Sequence, residues 1–384
     1  MIIAAMQAVT SNVNAPVAPL AGAFARFKAK LALPSLAKPR WLQAKTPHAI
    51  TALMMGEQCL AVRVEAARQP GGKLLLVDVA EGTERELREW KQRKLFANSQ
   101  AVLVLRSTER QFIAIDRPEV QDHELQQAVR WPLAESMEAE ADTLLTTALL
   151  LPSINNALKP QVLAIAARTE LAKAHLATLA GHGIKLRSID MVDTALRGMA
   201  LLQPGDNNGS VVLAFVGNDI CIGLLWRGEF CLLRTLALPV RPPRDAADFE
   251  EHLALHIQRT TDHFERQATQ LAVRHVLAAM PSLDPATRES VRGSLPLSAK
   301  LFDLDEHFEM SGVTREKVDG HNEFSALACV AAARLIDSGH ASQGAVAAAQ
   351  APLASNVTPP FTPSFTPSLT QSPSPNPTAT GAPA

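Results

Sequence analysis

Between about residue 48 and residue 338 the hydrophobic positions switch repeatedly between a strand-like and a helix-like period. LLLVDVA (74–80) and AVLVLRS (101–107) are short apolar runs that predict strands. The charged EGTERELREWKQRKLF between them places Leu87, Trp90 and Lys94 at helical spacing. RQFIAIDRP (110–118) reads as the pairing partner of 101–107, joined to it by a short polar turn. Asp122 is expected to cap a helix over 123–131 with Leu125, Ala128 and Val129 on its inner face. Pro132 should end that helix, because it disfavours a helical Trp131 and removes a backbone donor.

LLTTALLLP and QVLAIAARTE continue as strands, and TELAKAHLATLAGHG as a helix with Thr169 as its cap and Gly181 or Gly183 at its exit. IKLRSIDM leads into a helix over VDTALRGMALL. Residues 210–238 read as a three-strand meander with Gly-Asn-Asp and Arg-Gly-Glu turns. A long amphipathic helix follows, with Phe249, Leu253, Ile257, Thr260 and Phe264 on one stripe. After it come AVRHVLAAM, a helix near 285–292, the strand SAKLFDL and a terminal helix in EFSALACVAAARLI. Strands and helices in this alternation predict α/β layers.

The two ends differ from this middle. No acidic side chain precedes Glu57, whereas Arg26, Lys28, Lys30, Lys38, Arg40 and Lys45 all fall in the first part of the chain. There Leu20, Phe24, Phe27 and Leu31 form a narrow helical stripe away from Arg26 and Lys30. Two readings stand at even weight: a short helix dipping Phe24 and Phe27 into an anionic membrane surface beside Arg26, Lys28 and Lys30, or a tail that packs only locally. From Ser338 onward no charged residue appears, and PFTPSFTPSLTQSPSPNPT is expected to stay extended.

Composition narrows the classes. With 384 residues and 47% hydrophobic content the chain can build more than one core. Its 37 Lys+Arg against 38 Asp+Glu argue against a nucleic-acid partner. Cys59, Cys221, Cys231 and Cys329 lie too far apart in sequence for a ligand or disulfide pattern, which fits a reducing compartment. No apolar stretch is long enough to span a membrane, and the opening lacks the early cations of a secretory signal.

Taken in order, several stretches resemble the actin-like proteins of type IV pilus assembly, the PilM group, and within it the MshI branch. They are ELQQAVRWPLAE, AGHGIKLRSIDMVDTALRGMALL, GSVVLAFVGNDICIGLLWRGEFCLLRTLAL, HIQRTTDHFERQ and EFSALACVAAARL, and the resemblance covers about 48–338. It implies an actin-like (ribonuclease H-like) fold of two α/β lobes with a small α/β subdomain inserted in the first. The expected boundaries are a basic extension at 1–47, the start of lobe one at 48–84, the insertion at 85–180, a return to lobe one at 181–209, lobe two at 210–338 and a Pro/Ser/Thr-rich tail at 339–384. Within the insertion, Trp131, Leu125 and Val129 become the partner-contact candidates. Trp131 read on its own favours internal packing.

The same resemblance locates a nucleotide cleft, and the residues there depart from what it needs. In ALMMGEQCLAV, Gly56 matches the first phosphate turn, but Met54 stands where an aspartate is usual, Glu57 where a small hydroxyl residue is usual, and Ala61 where a lysine is usual. In LAFVGNDI, Gly217 matches the second turn, with Phe215 at the aspartate position and Asp219 displaced. HVLAAMPSLD replaces a Gly-Gly adenosine loop. Asp190 lies in the segment leading to the helix beside the cleft. Gly56, Gly217 and Asp190 are therefore candidates for a vestigial cleft; hydrolysis is not expected, no cofactor is expected, and ATP binding stays open.

Other constellations are weaker. His252, His256 and His263 share neighbouring helical angles, but the first and last are about 16 Å apart at about 1.5 Å per residue, so a solvated flank is favoured over a metal site. Asp190 and Asp193 sit at a helix start, where capping is the favoured role. The expectation is a non-enzymatic cytoplasmic scaffold, peripheral to the inner membrane. It would dock to the cytoplasmic tail of a PilN-like or MshJ-like single-span assembly protein, with the assembly ATPase as a further candidate partner. The rivals are a nucleotide-binding actin-like ATPase and the cytoplasmic actin-like part of a type II secretion platform.

Overall fold

The computed structural model describes residues 48–69, 72–152, 159–203, 210–216, 219–226, 228–236, 299–319 and 321–338, with shorter pieces at 251, 255–260, 262, 266, 275–279, 289 and 292–293. Its first sheet opens with the antiparallel strands β1 (Ala49–Met54), β2 (Cys59–Glu65) and β3 (Leu74–Gly82). β1 then pairs in parallel with β4 (Gln100–Leu105), placing Ile50 beside Gln100 and Leu53 beside Leu103. Every residue of β1 is buried, as expected of a central strand covered on both faces.

The helix between β3 and β4, α1 (Leu87–Gln92), buries Leu87 and Trp90. It stops earlier than the Leu87, Trp90, Lys94 spacing predicts: Lys94 has φ 66°, a left-handed residue past the last turn, and Leu95 is the buried residue that follows.

After β4 the chain leaves this sheet. β5 (Arg110–Asp116) was expected beside 101–107; instead it pairs antiparallel with β7 (Gln161–Arg168), which also pairs with β6 (Leu144–Leu150). Both sides of β4 are already taken by β1 and β8 (Leu186–Met191), so no edge remains for β5. The resulting three-stranded sheet, order β5-β7-β6, is covered by α2 (Leu125–Ala128) and α3 (Arg130–Ser136). Asp122 does not cap α2: that position is held by Glu124, and Asp122 accepts from Arg117 at 2.6 Å. Nor does Pro132 end a helix. The break falls at Val129, and Pro132 sits in the first turn of α3, where its missing N–H has no intrahelical partner to lose.

α4 (Thr169–Gly181) returns the chain to the first sheet, with Arg168 rather than Thr169 at its N-cap and Gly183 left-handed at its exit, φ 67°. The inserted piece is thus narrower than 85–180. Gln100–Leu105 belongs to the main sheet, whose order is β3-β2-β1-β4-β8 with β14 (Phe308–Met310) outside β3, and only 110–168 builds the small one.

α5 (Thr194–Leu202) leads to a second sheet made of β9 (Ser210–Val216), β10 (Asp219–Trp226), β11 (Glu229–Leu236), β12 (His275–Ala279) and β13 (Ala299–Leu301), order β11-β10-β9-β12-β13. Leaving out β14, the two large sheets share one plan: an antiparallel meander whose first strand is extended by two parallel strands. Residues 255–260 are helical, with Ile257 and Thr260 buried; Phe249, Leu253 and Phe264 of the predicted stripe lie outside the described residues. The chain then passes through α6 (Leu304–His307), β14 (Phe308–Met310), which joins β3 in parallel, and α7 (Gly312–Asp319).

α8 (Asn322–Asp337) lies between the sheets, touching β1, β2 and β9 and packing along α5. Phe324 and Ala326 to Ala333 are all buried, the pattern of a helix enclosed on every side. The crossing with α5 is close because Gly198 faces the backbone of Cys329, and any side chain there would fall on that carbonyl.

Candidate functional site

The parallel run of β1, β4 and β8 brings their carboxyl ends to one edge of the first sheet, the place where open α/β sheets bind ligands. At this edge the turn from β1 to β2 contains Gly56 with φ 151°, a conformation that favours glycine. Arg106, the residue after β4, lies over the turn. It donates from Nε to the Met55 carbonyl at 3.2 Å and from Nη2 to the Gln58 carbonyl at 2.8 Å. A turn that holds phosphate presents N–H groups; this one presents carbonyls, and a guanidinium already sits on them. Met54 and Ala61, at the positions where the resemblance implies an aspartate and a lysine, are core residues, while Glu57 is exposed.

The carboxylates at the end of β8 are not the caps expected. Asp193 precedes α5 but makes no side-chain cap bond. It accepts from Arg110 Nε at 2.7 Å and Nη2 at 2.6 Å, with both side chains essentially buried. Arg110 Nη2 also donates to Thr235 Oγ1 at 2.9 Å, and its guanidinium carbon lies 4.7 Å from the centre of the Phe112 ring. Asp190, proposed for the cleft, accepts from Arg334 Nε at 2.6 Å, from Thr194 Oγ1 at 2.7 Å and from the Met191 N–H at 2.9 Å. Arg197 pairs with Asp337 at 3.0 Å and Glu229 at 3.2 Å. Burial works against the Arg197 charge, but Asp337 and Glu229 outweigh it and hold its pKa above the ordinary arginine value.

These arginines are what sequence reasoning missed. The available signal was an arginine inside an otherwise apolar helix, Arg334 in CVAAARLI, and another at the head of a strand, Arg110: such residues need partners when buried. Which carboxylate each would take could not be read from spacing, since the partners lie 144 and 83 positions away.

This network forms part of the wall of a cavity of about 970 Å³. It lies between β8, the edge strand of the first sheet, and β6, the edge strand of the inserted one, with α4 as a further wall. Leu145, Leu149, Leu150, Ile165 and Leu176 make its surface mainly apolar, and Leu150 is 49% exposed. That size and character match sites that enclose small or extended ligands.

The partner-contact candidates divide. Leu125 and Val129 are buried beneath the inserted sheet, so they support that subdomain and cannot form its outer surface. Trp131 is 74% exposed, against the expectation that it packs internally: it occupies the second position of α3, on the outer side from Val129 and Leu133. Gly217 lies outside the described residues, as do Phe24, Arg26, Phe27, Lys28 and Lys30. Of the three histidines, only His256 is described, and no group of metal-ligating side chains occurs among the described residues. Also among the described residues, no helix is long and apolar enough to cross a membrane.

The structure of a PilM-PilN type IV pilus biogenesis complex is similar, with a TM-score of 0.53 and 17% identity, over 74% of this chain and 98% of that one. The cytoplasmic domain of EpsL, an inner membrane component of the Vibrio cholerae type II secretion system, has a TM-score of 0.43 and 11% identity over 74% and 94%. A Bacteroides thetaiotaomicron protein with an actin-like ATPase fold has 0.42 and 8% over 72% and 96%. No protein-family model matches the chain, and no curated protein matches it. The repeated sheet plan and the first of these likenesses define the class: the chain has the two-lobed α/β actin-like fold, carrying an inserted subdomain. Within that class its structure is similar to that of PilM in the pilus biogenesis complex.

Proposed function

We propose that the protein is a non-enzymatic cytoplasmic scaffold of a type IV pilus machine of the MSHA type, a MshI-like member of the PilM group. It would dock the short tail of a PilN-like or MshJ-like inner-membrane assembly protein. The observation that carries this reading is the apolar cavity between the edge strands β6 and β8. An extended segment entering there finds leucines for its side chains and unpaired strand edges for its backbone. The similar PilM structure is itself that of a complex with PilN, which supports a partner of the same kind.

Catalysis is not part of this proposal. A phosphate at the first turn would have to displace Arg106 from two carbonyls, and a magnesium ion at Asp190 would have to compete with Arg334. Residues 1–47 add, in this reading, a weaker contact with anionic lipid through Phe24 and Phe27, which places the protein at the inner membrane surface.

Pull-down of the full chain with cytoplasmic tail peptides of PilN-like and MshJ-like proteins is the test, with Leu150→Asp as the control. Capture by wild type and loss in the variant is expected. Failure of every tail to bind, or stabilisation by Mg-ATP together with phosphate release, would overturn the proposal.

A further inference from the structure

The helices that cover the inserted sheet leave an outer stripe. Leu125, Val129 and Leu133 are buried beneath it, whereas Glu124, Gln127, Trp131 and Glu135 recur at intervals of three and four and are all exposed. Although α2 and α3 break at Val129, the Val129 and Leu133 N–H groups donate to the Leu125 and Val129 carbonyls at 3.0 and 3.3 Å, so the stripe runs across the break. Glu138 and Glu140 follow directly after α3, and with Glu135 they are exposed and have no cation partner among the described residues. An indole 74% exposed amid carboxylates suits a segment that is basic and aromatic at once: its cations meet the carboxylates and the ring face, and its apolar groups cover the rest of the ring.

The chain carries such a segment itself. No acidic side chain precedes Glu57, and Phe24, Arg26, Phe27, Lys28 and Lys30 set cations among aromatic rings. The stretch from Lys30 to His48 reaches about 60 Å when extended, against a diameter of about 50 Å for a domain of this length, so the tether is long enough to carry the segment to the insertion. Tethering also raises its local concentration to about a millimolar, which allows a weak surface contact to be occupied.

We propose that residues 24–30 dock on the Trp131 face of the insertion of their own chain, with Arg26, Lys28 and Lys30 against Glu124, Glu135 and Glu138 and Phe24 or Phe27 against the indole. The inference goes beyond the tail-docking reading and does not rest on it. Anionic lipid offers these residues the same chemistry, so a membrane surface and the Trp131 face compete for one segment. A segment seated about half of the time changes the folding equilibrium by only about twofold, which proximity chemistry detects and a melt does not.

The test is zero-length carbodiimide coupling of lysine to carboxylate in the dilute full chain, read by peptide mass spectrometry. Lys28 or Lys30 should be joined to Glu124, Glu135 or Glu138 in the monomer, and the yield should fall as salt is raised. Trp131→Ala leaves every amine and carboxylate in place, yet it should lower the yield about threefold, the change that a cation over an exposed ring produces. Phosphatidylglycerol vesicles should lower it as well.

No coupling between these lysines and the insertion would overturn the proposal, and so would an unchanged yield in Trp131→Ala. Coupling confined to a dimer band and rising with protein concentration would reassign the face to a second copy of the chain and overturn docking within one chain. A yield that vesicles leave unchanged, while the chain sediments with them, would remove residues 24–30 from the lipid contact and leave them on the insertion.

Discussion

The Arg110–Asp193 pair permits a sharp energetic test. Asp193→Asn keeps the shape of the side chain and removes its charge, leaving the Arg110 guanidinium buried without a counter-ion. The two side chains are 5% and 0% exposed, so solvent screens little of the loss. Breaking a buried pair by neutralising one member costs about 3–5 kcal/mol. For a domain of this size that lowers the melting temperature by about 10 °C. Replacing both partners, Arg110→Met with Asp193→Leu, removes the stranded charge and should return stability to within about 1 kcal/mol of wild type. Urea melts of Arg110→Met, Asp193→Leu and the double variant close a cycle whose coupling energy should exceed about 2 kcal/mol. A loss below about 1 kcal/mol for Asp193→Asn would refute the reasoning. The contrasting pair, Lys300–Glu306, has both side chains nearly half exposed, and Lys300→Met there should cost less than about 1 kcal/mol.

Three further outcomes can be checked by melting experiments. Gly198→Ala gains up to about 1 kcal/mol of helix propensity yet should destabilise by about 3 kcal/mol, because its methyl falls on the Cys329 carbonyl where α5 and α8 cross; a stabilised variant would show that the crossing can open. Burial lowers the His307 pKa despite the nearby Glu306 and Asp303, with Lys300 and Lys73 adding to the shift, while Gln203 Nε2 lies 2.9 Å from the ring nitrogen. The unfolded chain therefore binds this proton more readily, so stability should fall as pH drops below about 6.5, and His307→Gln should flatten that slope. Trp131→Ala should leave the unfolding free energy unchanged within about 0.5 kcal/mol, since the ring is mostly in solvent; a loss above about 1 kcal/mol would show that it packs.

The parts of the fold that were legible in the sequence are those where one period speaks for a whole element. The apolar runs at 74–80 and 101–107, the meander from 210 and the helix through Cys329 all appear where hydrophobic spacing puts them. What spacing cannot convey is the identity of a distant partner. β5 follows β4 at once and by spacing alone reads as its neighbour, yet a strand paired on both flanks has no free edge, and that depends on β8, about 80 residues on. Pro132 misled for a related reason: its effect depends on whether it falls in the last turn of one helix or the first turn of the next, and the break at Val129 decides that. The site was half legible. The departures at Met54 and Ala61 could be seen, whereas Arg106, which fills the turn they flank, could not be placed there before β1 and β4 were known to run side by side.

The arginines also bear on how an occupant could sit in the cavity, because Arg110, Arg197 and Arg334 are part of its wall. Arg110 links the inserted sheet to the start of α5 and to Thr235 of β11. Arg197 links α5 to the end of α8 and to Glu229 of β11, and Arg334 links α8 to the end of β8. Together they tie both large sheets and the insertion at the edge where a ligand would otherwise sit. A molecule entering there must part a buried ion pair at about 3–5 kcal/mol, which weakens its dissociation constant by about two to four orders of magnitude before any contact of its own is counted. On the docking proposal, a segment lying along β6 and β8 would leave these pairs in place as part of the cavity wall. It would cover leucines already partly exposed to water, and every square ångström of apolar surface buried there would contribute to affinity.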